Sequence, residues 1–159
     1  MDPRFHEFAR LRLRKFPNVI LRQANSIDGL KALAAESVDR SGPIFFYLDA
    51  HWGCYLPLRE ELEIITSSFP KAVIMVDDFQ VPDDPGYKFD NYGEANKLSI
   101  NYVLAANTPK LATYFPTARS EFETGEKRGS VVMSADPGVA AVLDRLPSLQ
   151  RWRGSHGPT

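Results

Sequence analysis

The sequence predicts an α/β fold: a mostly parallel sheet with helices on both faces and a last strand that runs antiparallel. Three observations predict it. Ile44 to Leu48 and Ala72 to Val76 are apolar at every position, a helical pattern fills the interval between them, and turn-forming residues punctuate the segments. A strand that is covered on both faces needs apolar side chains on both, which alternating antiparallel strands do not.

Taken in order, Phe5, Phe8, Ala9, Leu13 and Phe16 recur at helical spacing with arginines between them, and Pro17 ends that helix. Asn18 to Arg22 reads as a short strand. Asn25 or Ser26 caps a helix from Ile27 to about Glu36. Ser41, Gly42 and Pro43 break the chain before the first apolar strand. Pro57 suits a first helical position, and Leu58, Leu62, Ile65 and Phe69 line one face of the next helix, with Arg59, Glu60 and Glu63 opposite. Pro70 precedes the second apolar strand. Phe79 to Tyr92 holds prolines, acids and aromatics without periodicity, the pattern of a substrate loop. Ala95, Leu98, Tyr102 and Ala105 mark another helix. Ala112 to Phe115 and Ser130 to Ser134 are two further strands, able to pair antiparallel across the charged stretch from Arg119 to Arg128.

The 159 residues, 43% hydrophobic, suffice for one core, so one domain is expected over 1–150 with a polar tail over 151–159. A net charge of -1 argues against nucleic acid and anionic membranes as partners. Arg4, Arg10, Arg12, Arg14 and Lys15 interrupt the first segment, which excludes a signal peptide or spanning helix there. Cys54 is the only cysteine, which leaves no disulfide framework and fits a reducing cytoplasm.

Asp49 follows the first apolar strand, and Asp77 and Asp78 follow the second. If those strands are neighbours, about 4.8 Å apart, three carboxylates meet at one edge of the sheet. Like charges call for a counter-ion, and an all-oxygen set suits a hard divalent cation, magnesium first. The competing reading makes these aspartates caps of the following turns. His51 lies close enough to Asp49 to face the same crevice and take a proton from an acceptor hydroxyl. Its alternative is a surface histidine in a turn. Trp52 and Tyr55 are candidate walls of an acceptor pocket or simple packing residues, and Tyr87, Phe89 and Tyr92 form a lid or anchor the long loop. Arg128 reads first as a solvated cation, with contact to an acidic acceptor as its alternative, and Asp83 and Asp84 read as turn residues.

The run Phe46-Tyr47-Leu48-Asp49-Ala50-His51-Trp52, followed by Val73-Ile74-Met75-Val76-Asp77-Asp78-Phe79, resembles class I S-adenosylmethionine-dependent methyltransferases, and most of all their metal-dependent O-methyltransferases. The resemblance covers Asn18 to Ala135. It implies a Rossmann-like sheet with Val19 to Leu21 as third strand, Ile44 to Leu48 as fourth and Ala72 to Val76 as fifth, in the order third, fourth, fifth, seventh, sixth. It also implies magnesium on Asp49, Asp77 and Asp78, with His51 where related sugar methyltransferases carry an acidic base. Asn25 and Ser26 fall beside the adenine of S-adenosylmethionine. The implied reaction is metal-assisted methylation of a small-molecule hydroxyl, such as that of a sugar or a catechol. No Gly-x-Gly occurs in the chain, so the cofactor's glycine-rich turn and ribose-binding acid are expected ahead of Met1. The sheet is then truncated at its N-terminal side, S-adenosylmethionine binding by this chain alone is weak, and exposed strand edges favour self-association. A non-catalytic assembly module and another metal-dependent transferase, such as a nucleotide-sugar transferase, are the alternative functions.

Overall fold

The computed structural model describes residues 3–51 and 55–154. The elements are α1 (Pro3–Leu13), α2 (Ser26–Ala35), β1 (Ile44–Leu48), α3 (Leu58–Ser68), β2 (Ala72–Val76), α4 (Ile100–Leu104), β3 (Ala112–Pro116), β4 (Val131–Ser134), α5 (Pro137–Leu143) and β5 (Leu149–Arg151), with a 3-10 turn at Ser120–Phe122. One five-stranded sheet has the order β1-β2-β4-β3-β5. The chain is therefore α/β, as its strand and helix pattern requires. Among the described residues no helix is long and apolar enough to cross a membrane.

β1 and β2 pair in parallel, from Ile44 beside Ala72 to Leu48 beside Val76, with α3 as the connection between them. The remaining pairings are antiparallel, which corrects the expected predominance of parallel pairing. The reason is topological. β4 inserts between β2 and β3 in the reverse direction, so β1, β2 and β3 all run the same way although only the first two touch. The strands expected as fourth, fifth, seventh and sixth thus lie in that order, and the strand from Val131 is antiparallel to both neighbours.

The place expected for a third strand holds none. Val19 to Leu21 is irregular, with Ile20 78% exposed, because no backbone partner lies alongside and β1 remains the edge of the sheet. The helix expected from Ala95 starts only at Ile100, since the preceding backbone is used elsewhere: Asn96 accepts from Tyr92, and Leu98 donates to Asp90 and accepts from Gln80. The tail also begins later than residue 151. Arg151 belongs to β5, and the Trp152 amide donates to the Thr113 carbonyl, extending the pairing along the edge of β3.

The core lies on the face that carries Phe46, Leu48, Ile74, Val76, Val131 and Met133, beneath α2 and α3. Leu58, Leu62, Ile65 and Phe69 from α3 and its end are all buried there, as the helical spacing requires. On the opposite face α5 covers β3 and β4, with the Tyr114 hydroxyl donating to the Ala140 carbonyl at 3.0 Å. Among the described residues nothing covers the β1–β2 half of that face: Phe45 and Tyr47 are 60% and 51% exposed.

Candidate metal centre

Parallel β1 and β2 both end at the same edge of the sheet, which sets Asp49 beside Asp77 and Asp78. The pairing continues one step past the strands, with the Asp77 amide donating to Leu48 O at 3.1 Å. Asp78 then adopts a left-handed backbone, φ 53°, an unusual conformation that aspartate tolerates better than most residues. Its amide donates to Asp77 Oδ1 at 2.9 Å and its carbonyl accepts from the Asp90 amide at 2.9 Å. The long loop is thereby folded back onto the strand end. A second tie is made by the segment that enters β4, where Phe79 N donates to Gly129 O and Gly129 N to Lys88 O.

His51 is the centre of this arrangement. Its side chain is only 5% exposed, and Nε2 lies 3.5 Å from Asp78 Oδ2, 3.6 Å from Asp90 Oδ2 and 3.8 Å from Asp49 Oδ1. These separations are at or beyond the limit of a useful hydrogen bond. Donors that share a cation at about 2.1 Å sit roughly 3.0 to 3.5 Å apart, so a small contraction would suit a common ion. Asp49, His51 and Asp78 each present one ligand atom, all within 4.8 Å of one another. The donor set is therefore mixed nitrogen and oxygen rather than all oxygen, and it fits a divalent cation.

Asp77 is placed differently. Its Oδ2 accepts from the Tyr47 hydroxyl and its Oδ1 from the Asp78 amide, so both oxygens serve the strand ends. The Tyr47 hydroxyl pKa is driven upward by that hydrogen bond first and by burial second. Asp90 was not among the sequence candidates, because it lies inside an aperiodic loop. Its Oδ2 accepts from Tyr92, whose pKa burial and then Asp90 push up to about 12. Tyr92 is thus tied to the site, whereas Tyr87 is buried and donates to Ala118 O at 3.0 Å, which makes it an anchor. Phe89 is partly buried. Trp52 lies outside the described residues, and Tyr55 is 55% exposed.

Arg128, expected to be solvated, instead bridges two carboxylates: Nε donates to Asp78 Oδ1 and Nη2 to Asp90 Oδ1. The flanking backbone contacts at Gly129 hold it there, a long-range effect that residue spacing does not encode. Burial raises the Asp78 carboxyl, but hydrogen bonding and charge from Arg128, followed by His51, outweigh it and leave the pKa below the usual range. The Arg128 guanidinium is correspondingly raised, first by Asp78. Behind the centre, Glu61 is 2% exposed with Oε1 unpartnered, and burial lifts its carboxyl while Ser26 and His51 oppose.

Asp49 is the most exposed of the group, at 55%. Burial, and then the carboxylates of Asp77, Asp78 and Asp90, raise its pKa, with His51 opposing. A raised folded pKa makes ionised Asp49 unfavourable at neutral pH, and that cost vanishes as pH falls through the raised value. Asp49→Asn is therefore expected to increase stability in chelator at pH 7 by on the order of 0.5 kcal/mol, a figure discounted for solvent screening. A lower denaturant midpoint in the variant would contradict the crowding of charge at this edge.

Asn25 caps α2, with Oδ1 accepting from Asp28 N at 2.8 Å and Nδ2 donating to Asp28 Oδ2 at 2.7 Å. Ser26 Oγ is buried without a partner of good geometry. The Asn25 side chain is thus taken up by the cap, and the Ser26 hydroxyl is enclosed. Asp84 is a turn residue as expected, accepting from Gly86 N and from the amide and hydroxyl of Ser120. No family model, curated protein or solved structure matches the chain. Its own residues therefore carry the functional argument.

Proposed function

We propose that the chain supplies the cation-binding and acceptor side of a metal-dependent O-methyltransferase. The observation that carries this reading is the convergence of Asp49, Asp78 and Asp90 on the enclosed Nε2 of His51, at spacings wide for hydrogen bonds. The strand order β1-β2-β4-β3, with β4 reversed, supports it, as does the position of the cluster at strand carboxyl ends, where open α/β sheets bind ligands.

Asp49, His51 and Asp78 would hold the cation, with Asp90 beside them. The imidazole moves the preference from magnesium toward manganese or zinc. A bound divalent cation supplies Lewis acidity, lowering the pKa of a hydroxyl that meets it. A ring nitrogen that holds a cation has no lone pair left for a proton. His51 is thus a ligand in this reading, rather than the general base expected from its position in the sequence. Asp49, the most exposed of the three, meets the incoming acceptor. Arg128 keeps Asp78 ionised and holds Asp90 in line beside it, and Tyr92 fixes the second of them. The single cysteine supports a reducing, cytoplasmic setting. The methyl donor needs groups beyond Asn25 and Ser26, so S-adenosylmethionine is expected to bind this chain weakly.

Catechol, a vicinal diol, is the probe of the acceptor side. It should bind in manganese and lose binding in chelator, and Asp49→Asn should weaken it at least tenfold. Catechol binding that is indifferent to chelation, or absent from the manganese-loaded protein, would overturn the reading.

A further inference from the structure

Among the described residues two apolar surfaces lack a partner, and they match one another. The first is α1, which has no buried residue: Phe5, Phe8 and Leu11 are 72%, 62% and 49% exposed and recur every three residues along one side. The second is the open half of the sheet. In the parallel register Phe45 sits beside Val73 and Tyr47 beside Met75, and Val132 of β4 follows Met75 across the same face. Both halves of a sheet face ordinarily need cover in a layered α/β fold, and α5 covers only the β3–β4 half here.

Size and charge argue for the pairing. An α-helix of 11 residues is about 16 Å long, close to the length of a five-residue strand. Residues 3–16 carry Arg4, Arg10, Arg12, Arg14 and Lys15 against a single acid, Glu7, which pairs with Arg10. By strand alternation Asp49 and Asp77 continue the face of Phe45 and Tyr47 at its carboxyl edge, backed by Asp78 and Asp90 with Arg128 as the countercharge. A basic amphipathic helix thus meets an apolar face with an acidic rim. Within one copy, α1 leads into α2, which packs on the other side of the sheet.

We propose that the occupant of the open face is α1 of a second copy, exchanged reciprocally to form a homodimer. Each copy then gives a helix and receives one, which doubles the contact. The exchange is independent of the cation and sets a positive segment beside the acidic edge of each site.

Sedimentation of the full chain at about 100 µM should give twice the 17.9 kDa mass of one chain. Phe8→Asp and Phe45→Asp should each halve it, with the circular dichroism spectrum retained because both side chains are exposed in the single chain, and with a melting temperature that no longer rises with chain concentration. A monomeric parent chain would overturn the proposal. In a Cys54→Ser background, a mixture of Phe8→Cys and Phe45→Cys chains should yield a disulfide heterodimer on oxidation. Phe45→Cys homodimers alone would indicate edge-to-edge pairing of β1, and an intramolecular disulfide in a chain carrying both cysteines would indicate that α1 closes on its own sheet. Either outcome overturns the exchange.

Discussion

Gly129→Ala is expected to cost about 3 kcal/mol of stability and to loosen the segment that holds Arg128. A Cβ at this position would lie 2.2 Å from the Phe79 carbonyl oxygen and 2.9 Å from Val81 Cγ2. The first neighbour is backbone, and it is not free to retreat. Phe79 N donates to Gly129 O at 2.8 Å, and Gly129 N donates to Lys88 O at 2.9 Å, so the added carbon would pry apart the hydrogen bonds that tie three segments together. The cost should appear as a lower denaturant midpoint at pH 7. Gly125→Ala is the control, since nothing lies within 4 Å of its added carbon. Equal stability in the two variants would mean that the entry to β4 does not approach Phe79 as described.

Arg128→Met is the second large effect, with an expected loss of about 2 kcal/mol at neutral pH. Its guanidinium bridges Asp78 and Asp90, whose side chains are 17% and 18% exposed, and removal would leave two partly buried carboxylates facing one another. Breaking a fully buried pair costs more, but Arg128 is 35% exposed and water relieves part of the penalty. The pH dependence follows from the depressed Asp78 carboxyl. A depressed folded pKa contributes stability above the unfolded value of about 3.9 and loses it as pH falls through the lower folded value. The gap between parent and variant should therefore narrow below about pH 4. Manganese should stabilise the variant more than the parent, because the cation replaces the missing positive charge. A gap independent of both pH and manganese would show that Arg128 acts through packing alone.

The β1–α3–β2 unit was legible in the sequence because it is built from local patterns. Ile44–Leu48 and Ala72–Val76 are strands at the expected bounds, and the α3 face from Leu58 to Phe69 is the buried one. Asp49, His51 and Asp78 came together because adjacent parallel strands deliver their last residues to one edge. Asp90 and Arg128 were hidden for the opposite reason. Both are brought in by backbone contacts between distant segments, through Asp78 to Asp90 and Gly129 to Lys88, and no periodicity marks such contacts. The antiparallel run of β4 was expected, but the pairing of Leu149–Arg151 is set by which edge is free, a property of the assembled sheet. Val19 to Leu21 shows the converse: an apolar run with strand character stays irregular where no strand lies beside it. Asp77 shows why adjacency in sequence is a weak guide to a ligand set. The left-handed turn at Asp78 parts the two carboxylates, sending Asp77 to Tyr47 and Asp78 to His51 and Arg128.

The central claim is a cation site made by Asp49, His51 and Asp78, and calorimetric titration with manganese tests it most directly. The parent chain should bind one ion per chain, His51→Ala and Asp78→Asn should each lose the binding heat, and Asp77→Asn should retain it. Binding that survives unchanged in both His51→Ala and Asp78→Asn, or no binding by the parent chain, would contradict the account.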